Sequence, residues 1–186
     1  MKSLLRQLRV LLFTLLVCSA AYPLFVYATG RVLTPETANG SLLRDASGRV
    51  VGSRLIAQSF TRPEYFWPRP SAVNYDASAA GGSNLAPANS GLTARAEELV
   101  ARHAATSDNP LPADLVTASG AGLDPHITEA AARFQIPRVA AARNLPTVTV
   151  TALVSSHAHP VLGPLDPSRI VNVLELNLAL DALNVR

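Results

Sequence analysis

The stretch VLLFTLLVCSAAYPLFVYATG, residues 10–30, carries no charge, and Arg9 and Arg31 stand at its two ends. An α-helix rises about 1.5 Å per residue, so crossing the hydrocarbon core of a bilayer takes about 20 apolar residues. Val10 to Ala28 is close to that length. This run separates a part that suits lipid from a part that must fold in water. It sets the expected fold class, α+β: one N-terminal transmembrane helix followed by a single mixed α/β domain.

Working outward, Lys2, Arg6 and Arg9 precede the run, whereas only Arg31 closely follows it. The positive-inside bias then places the N-terminus in the cytoplasm and everything from Arg31 onward outside, in the periplasm of a bacterium. The expected layout is a short cytoplasmic N-terminus over 1–9, a transmembrane helix over 10–30 and a periplasmic domain over 31–186, single-pass in the cell inner membrane. Tyr22 and Tyr27 suit the aromatic belt at the outer end. The rival reading is a secretory signal, with Leu11–Val17 as its apolar core and Ser19-Ala20-Ala21 as its cleavage site. Cleavage would release a soluble periplasmic binding or enzyme-like domain. Against it, Leu24, Phe25, Val26 and Ala28 continue the apolar run past the cut. Pro23 should kink the helix but is tolerable there. Bulky Val17 makes Cys18 a poor lipoprotein cysteine, so it reads as a thiol in an apolar helix.

Three of the 16 Lys and Arg precede the span, leaving the outside part with 13 against 13 Asp and Glu. A neutral domain without clustered basic residues argues against nucleic acid as a partner. Cys18 is the one cysteine, so the domain has neither a disulfide nor a cysteine metal site.

Along the domain, Thr34–Leu43 reads as a connector. Asp45-Ala46-Ser47-Gly48 is a turn signal before apolar Val50, Val51, Leu55 and Ile56, which fits a hairpin or a short strand. From Thr61 to Gly91, Pro63, Pro68, Pro70 and Pro87 with Gly81 and Gly82 forbid long regular structure, so this is a long loop. Tyr65, Phe66, Trp67 and Tyr75 lie in it and predict an ordered loop, folded onto the domain's own core or onto a partner. Helical spacing of Leu92, Ala96, Leu99 and Val100 predicts a helix over about Thr93–Ala105, with Arg95, Glu98 and Arg102 off its apolar face. Asp124 before Pro125 reads as an N-cap and first helical position, with Pro137 ending or bending that helix and starting another to Arg143. Thr147–Thr151 alternates as a strand would, yet Val150, Leu153 and Val154 also suit a helix face. Ile170–Leu176 reads as strand and Leu178–Leu183 as helix.

Chemistry is sparse. Ser53, Ser71, Ser83 and Ser119 lie outside any Gly-x-Ser-x-Gly elbow. Ser119-Gly120-Ala121-Gly122 lacks the lysine of a phosphate loop and reads as a tight turn. His126 reads as a capping or packing residue, and His157 with His159 lack the further ligands that zinc requires. Gly81-Gly82-Ser83-Asn84 reads as a rigid turn.

Taken together, five runs carry a resemblance: Gly52-Ser53-Arg54-Leu55-Ile56-Ala57-Gln58, Trp67-Pro68-Arg69-Pro70-Ser71-Ala72, Gly82-Ser83-Asn84-Leu85, the segment from Asp114 to His126 (DLVTASGAGLDPH), and Asn172 to Leu180 (NVLELNLAL). In this order, and with the span included, the chain resembles the KdpC subunits of bacterial potassium-transporting ATPases.

The resemblance implies an accessory, non-catalytic subunit of a four-part inner-membrane complex. Its implied partners are a potassium-channel-like subunit, a P-type ATPase subunit and a small single-helix subunit. It implies a role in stabilising the assembly and as a catalytic chaperone that raises the ATPase subunit's affinity for ATP. ATP and potassium are handled by the complex, and no cofactor is assigned to this chain. ATP is cytoplasmic and the charge bias puts the domain outside, so that effect would act through the span or the partner subunits. Family resemblance also favours helix over strand at 147–156. Partner contacts are expected on the proline-rich loop and just before it, at Gln58, Tyr65, Phe66, Trp67, Arg69, Ser71 and Asn84, and on the turn carrying Ser119, Asp124 and His126. Ala57 stands where the family often has glycine, and Ala86 and Ser90 replace commoner glycine and proline, so loop geometry there is expected to differ.

Overall fold

The computed structural model describes residues 2–161 and 167–183. The chain divides into two compact units, with the boundary between Leu42 and Leu43.

The N-terminal unit is dominated by α1 (Lys2–Leu16) and α2 (Tyr22–Leu33), joined through the π-helical turn Val17–Ala21 into one 32-residue helix with no buried residue. It is long and apolar enough to cross a membrane. The π turn lies immediately before Pro23, where the Tyr22 N–H reaches back to Val17 O. Proline has no N–H and its ring crowds the preceding turn, so the wider turn absorbs what the sequence predicted as a kink. The hydroxyls of Thr14 and Thr29 donate to the carbonyls of Val10 (2.8 Å) and Phe25 (2.9 Å), so both are satisfied within the helix, as a lipid surrounding requires. The short α3 (Pro35–Ala38) occupies the expected connector.

In the C-terminal unit, β1 (Leu42–Arg44) and β2 (Val50–Ser53) pair as the expected hairpin. Its turn is closed by Asp45 Oδ1, which accepts from the backbone N–H of Ser47 and of Arg49, each at 3.0 Å. No helix or strand follows until α4 (Ser90–Arg102), so the long loop is as expected. Helix α4 starts three residues before the expected Thr93 because Asn89 caps it, accepting from Gly91 N–H at 2.8 Å. After α5 (Ala113–Val116), a three-stranded antiparallel sheet is ordered β3 (His126–Thr128), β5 (Arg169–Asn172), β4 (His159–Pro160). Thr128, Ile170 and His159 lie side by side across it. Three helices, α6 (Glu129–Arg143), α7 (Thr147–His157) and α8 (Val173–Leu183), share one core with it. That core holds Phe66, Leu115, Ile127, Val139, Val150, Val154, Val171, Leu176 and Leu180.

Three expectations are corrected. Asp124 and Pro125 do not start a helix: residues 126–128 pair with β5, and α6 begins at Glu129, capped by Thr128 Oγ1 accepting from Ala131 N–H at 3.0 Å. Pro137 neither ends nor divides α6. It and Arg133, whose carbonyl it leaves without a donor, both lie on the exposed face, open to solvent, while Ile136, Val139 and Ala140 hold the buried face. Strand β5 stops at Asn172, whose side chain accepts from Glu175 N–H (3.2 Å) and starts α8 five residues before the predicted helix. The ambiguous segment 147–156 is helical, burying Val150 and Val154 one turn apart.

Candidate functional site

The proline-rich loop is fastened by buried amides. Asn177 of α8 accepts from Phe66 N–H (2.8 Å) and donates to Phe66 O (3.0 Å). One residue on, Gln135 of α6 accepts from Trp67 N–H (2.8 Å) and donates to Trp67 O (3.1 Å). Phe66 is fully enclosed in the core. Two amide side chains thus supply the pairing that a strand edge would give, in a segment whose prolines prevent a strand.

Arginines complete the fastening. Arg138 donates to Pro63 O (2.5 Å) and Tyr65 O (2.9 Å) and stands 3.8 Å over the Trp67 ring. Arg143 donates to Glu64 O and to Asp181, each at 2.7 Å, and Asp181 also receives the Tyr65 hydroxyl at 3.1 Å. Burial and the neighbouring Arg102 lower Arg138 to about 10.

The second cluster is the turn 119–126 packed on residues 69–75. Asp124 receives Arg69 Nη1 at 3.2 Å, lies 3.3 Å from His126 Nδ1 and accepts from the His126 N–H at 3.0 Å. The His126 ring, then its backbone N–H and the Arg69 charge, hold the Asp124 carboxyl below the usual carboxylate range. Ser119 Oγ accepts from the N–H groups of Gly122 (3.1 Å) and Asp124 (3.3 Å). Ser71 Oγ donates to Gly122 O at 2.7 Å. Gly122 has φ +70°, and a Cβ there would meet a Val73 methyl at 2.6 Å and Gly81 O at 2.9 Å. Carboxylates also close the free edge of β3, since Asp114 accepts from Thr128 N–H at 2.8 Å just as Asp124 does from His126.

Of the ten expected contact residues, Arg69, Ser71, Ser119, Asp124 and His126 therefore meet in one cluster, and Tyr65, Phe66 and Trp67 lie together on α6 and α8. Gln58 packs across Gly52 and donates to Val51 O at 2.9 Å, while Asn84 is exposed on left-handed backbone (φ 51°). Ala57, a departure from the resemblance, is buried and donates its N–H to Leu123 O at 2.9 Å. The serines and His126 are bound into these turns, and among the described residues no three His, Cys, Asp or Glu side chains converge on a metal position.

Sequence reading missed a third feature. Between α4 and residues 67–75 lies an open cavity of about 340 Å³, lined by Trp67, Tyr75, Arg95, Glu98, Arg102 and His103 among others. Arg102 stands 4.6 Å over the Trp67 ring, and the His103 ring meets it edge-on at 5.1 Å. Burial, then the charges of Arg138 and Arg102, push His103 down to about 4. The one signal in the sequence was the placing of Arg95, Glu98 and Arg102 off the apolar face of α4.

The family model for KdpC, the c chain of K+-transporting ATPases, matches residues 4–182, spanning both units. A potassium-transporting ATPase KdpC subunit from Parvibaculum lavamentivorans is 54% identical over 181 residues, covering 97% of each chain. Those of Caulobacter vibrioides and Pseudomonas aeruginosa are 53% and 49% identical, covering 92% and 96% of this chain and 88% and 98% of theirs. With identity this high over nearly its whole length, the chain belongs to the KdpC family, the c chain of K+-transporting ATPases.

Proposed function

We propose that this chain is a non-catalytic, single-span subunit whose domain lies in the periplasm and clamps the potassium-channel-like and P-type ATPase subunits, with a small single-helix subunit, into one complex. The observation that carries this reading is how the polar side chains are used. Gln135, Asn177, Arg138 and Arg143 are spent on holding one loop, and Ser71, Ser119 and His126 on holding one turn. A domain built this way presents a fixed surface, which suits assembly. The turn 119–126, Arg69, Tyr65 and exposed Asn84 are the parts of that surface we assign to partner contacts; Gln58, Phe66 and Trp67 shape it from behind.

The layout of 1–9 in the cytoplasm, 10–30 in the inner membrane and 31–186 outside is supported by the basic residues before the span. The apolar run that continues past residue 21 through Leu24, Phe25, Val26 and Ala28 favours an uncut chain over a cleaved signal. The effect on ATP affinity then belongs to the assembled complex: two states of the ATPase subunit differ in energy, and this chain binds one of them better. The test is potassium-stimulated ATP hydrolysis by the partner subunits, purified with and without this chain, across a range of ATP concentrations. A higher ATP KM in an otherwise intact complex supports the chaperone role, and loss of the complex supports the clamp alone. Unchanged assembly and kinetics would overturn both.

A further inference from the structure

The cavity beside α4 carries more positive than negative charge. Arg95 and Arg102 line it with one carboxylate, that of Glu98, and among the described residues neither arginine makes an ion pair. The Arg95 Nε–H is buried without an acceptor. A buried donor of a charged group left unpaired is costly. Arg138 stands over the same Trp67 ring as Arg102 and donates only to neutral oxygens. Burial first, and then the charges of Arg138 and Arg102, suppress the protonation of His103 beside the cavity.

We propose that this cavity is a docking site for an acidic segment of a partner subunit, with Arg95 and Arg102 each receiving a carboxylate and the Tyr75 ring packing against the segment between them. The inference rests on reading the chain as an assembly subunit. Spacing suits an acidic peptide: Arg95 and Arg102 are seven residues apart on one helix, about 10.5 Å along its axis. Two acidic side chains of one segment can each meet one guanidinium. The cavity is open, as a surface meeting another protein must be. Charge-assisted pairing with guanidinium groups supplies the specificity.

The test titrates the full chain, in detergent, against the partner subunits purified without it. Arg95→Glu with Arg102→Glu should weaken binding at least tenfold and remove most of its salt dependence. Because Arg102 also packs on Trp67, Arg95→Glu alone is measured in parallel, and it should lose several-fold. A second readout is the imidazole pKa of His103 by NMR, which rises when carboxylates arrive. Wild-type affinity in a correctly folded double variant, or an unmoved His103 in the complex, overturns the docking site. So does a rise in the His103 pKa caused equally by inorganic tripolyphosphate or by anionic lipid vesicles. If the wild-type chain does not bind the partner subunits, the assembly reading fails and the docking site with it.

Discussion

The side-chain amide of Gln135 and the backbone of Trp67 exchange two hydrogen bonds, at 2.8 and 3.1 Å, across 68 residues of sequence. Both groups are buried, so neither can turn to water. Gln135→Ala should therefore leave the Trp67 N–H and C=O unpaired and cost about 2–4 kcal/mol. Urea unfolding of the full chain in detergent, followed by Trp67 fluorescence, measures it; a loss below about 1 kcal/mol would mean the loop is held by Asn177 and its arginines without Gln135.

Acid should destabilise the domain through His103. Its folded pKa, about 4, lies below the ordinary value of 6.5, so the folded state favours the neutral ring. That contribution is present in full above pH 6.5 and is lost as pH falls towards 4, because the unfolded chain takes up the proton first. With the ring partly exposed, the effect is about 2 kcal/mol. His103→Gln should flatten the stability profile across this window, and a wild-type profile unchanged between pH 7 and 5 would contradict it.

Gly122→Ala places a methyl group 2.6 Å from a Val73 methyl on backbone with φ +70°. Steric contact and the left-handed conformation together should cost about 2–3 kcal/mol. The turn should open where Ser71 bonds Gly122 O, so limited proteolysis will cut residues 70–90 faster than in the unaltered chain. Equal cleavage rates would argue that the turn accommodates the side chain.

Asp124→Asn keeps an acceptor for the His126 N–H but discharges the partner of Arg69. The loss should be small, about 1 kcal/mol, because all three side chains are partly exposed. Thermal melts at low and high salt distinguish it: the difference from wild type should shrink as salt screens the pair.

An uncut N-terminus predicts that chain extracted from membranes has an intact mass including residues 2–21. A mass lacking them would convert the span into a signal and remove the membrane anchor.

Composition and order alone determined the apolar helix, the hairpin turn at Asp45–Gly48, the long loop and α4, because each is written in neighbouring residues: an uncharged run, an Asx turn, repeated prolines, a helical period. Resemblance carried the family. Tertiary structure decided the rest. Residues 126–128 became a strand because β5 offers pairing, Thr147–His157 became a helix because Val150 and Val154 meet the core one turn apart, and α8 began where Asn172 caps it. The same holds for the polar residues: Gln135 and Asn177 read locally as ordinary helix residues, and only folding brings them to the backbone of Trp67 and Phe66. Arg95 and Arg102 likewise look like a solvated helix face in one dimension. Which charges go unneutralised depends on distances between segments far apart in sequence, and only the folded chain sets those distances.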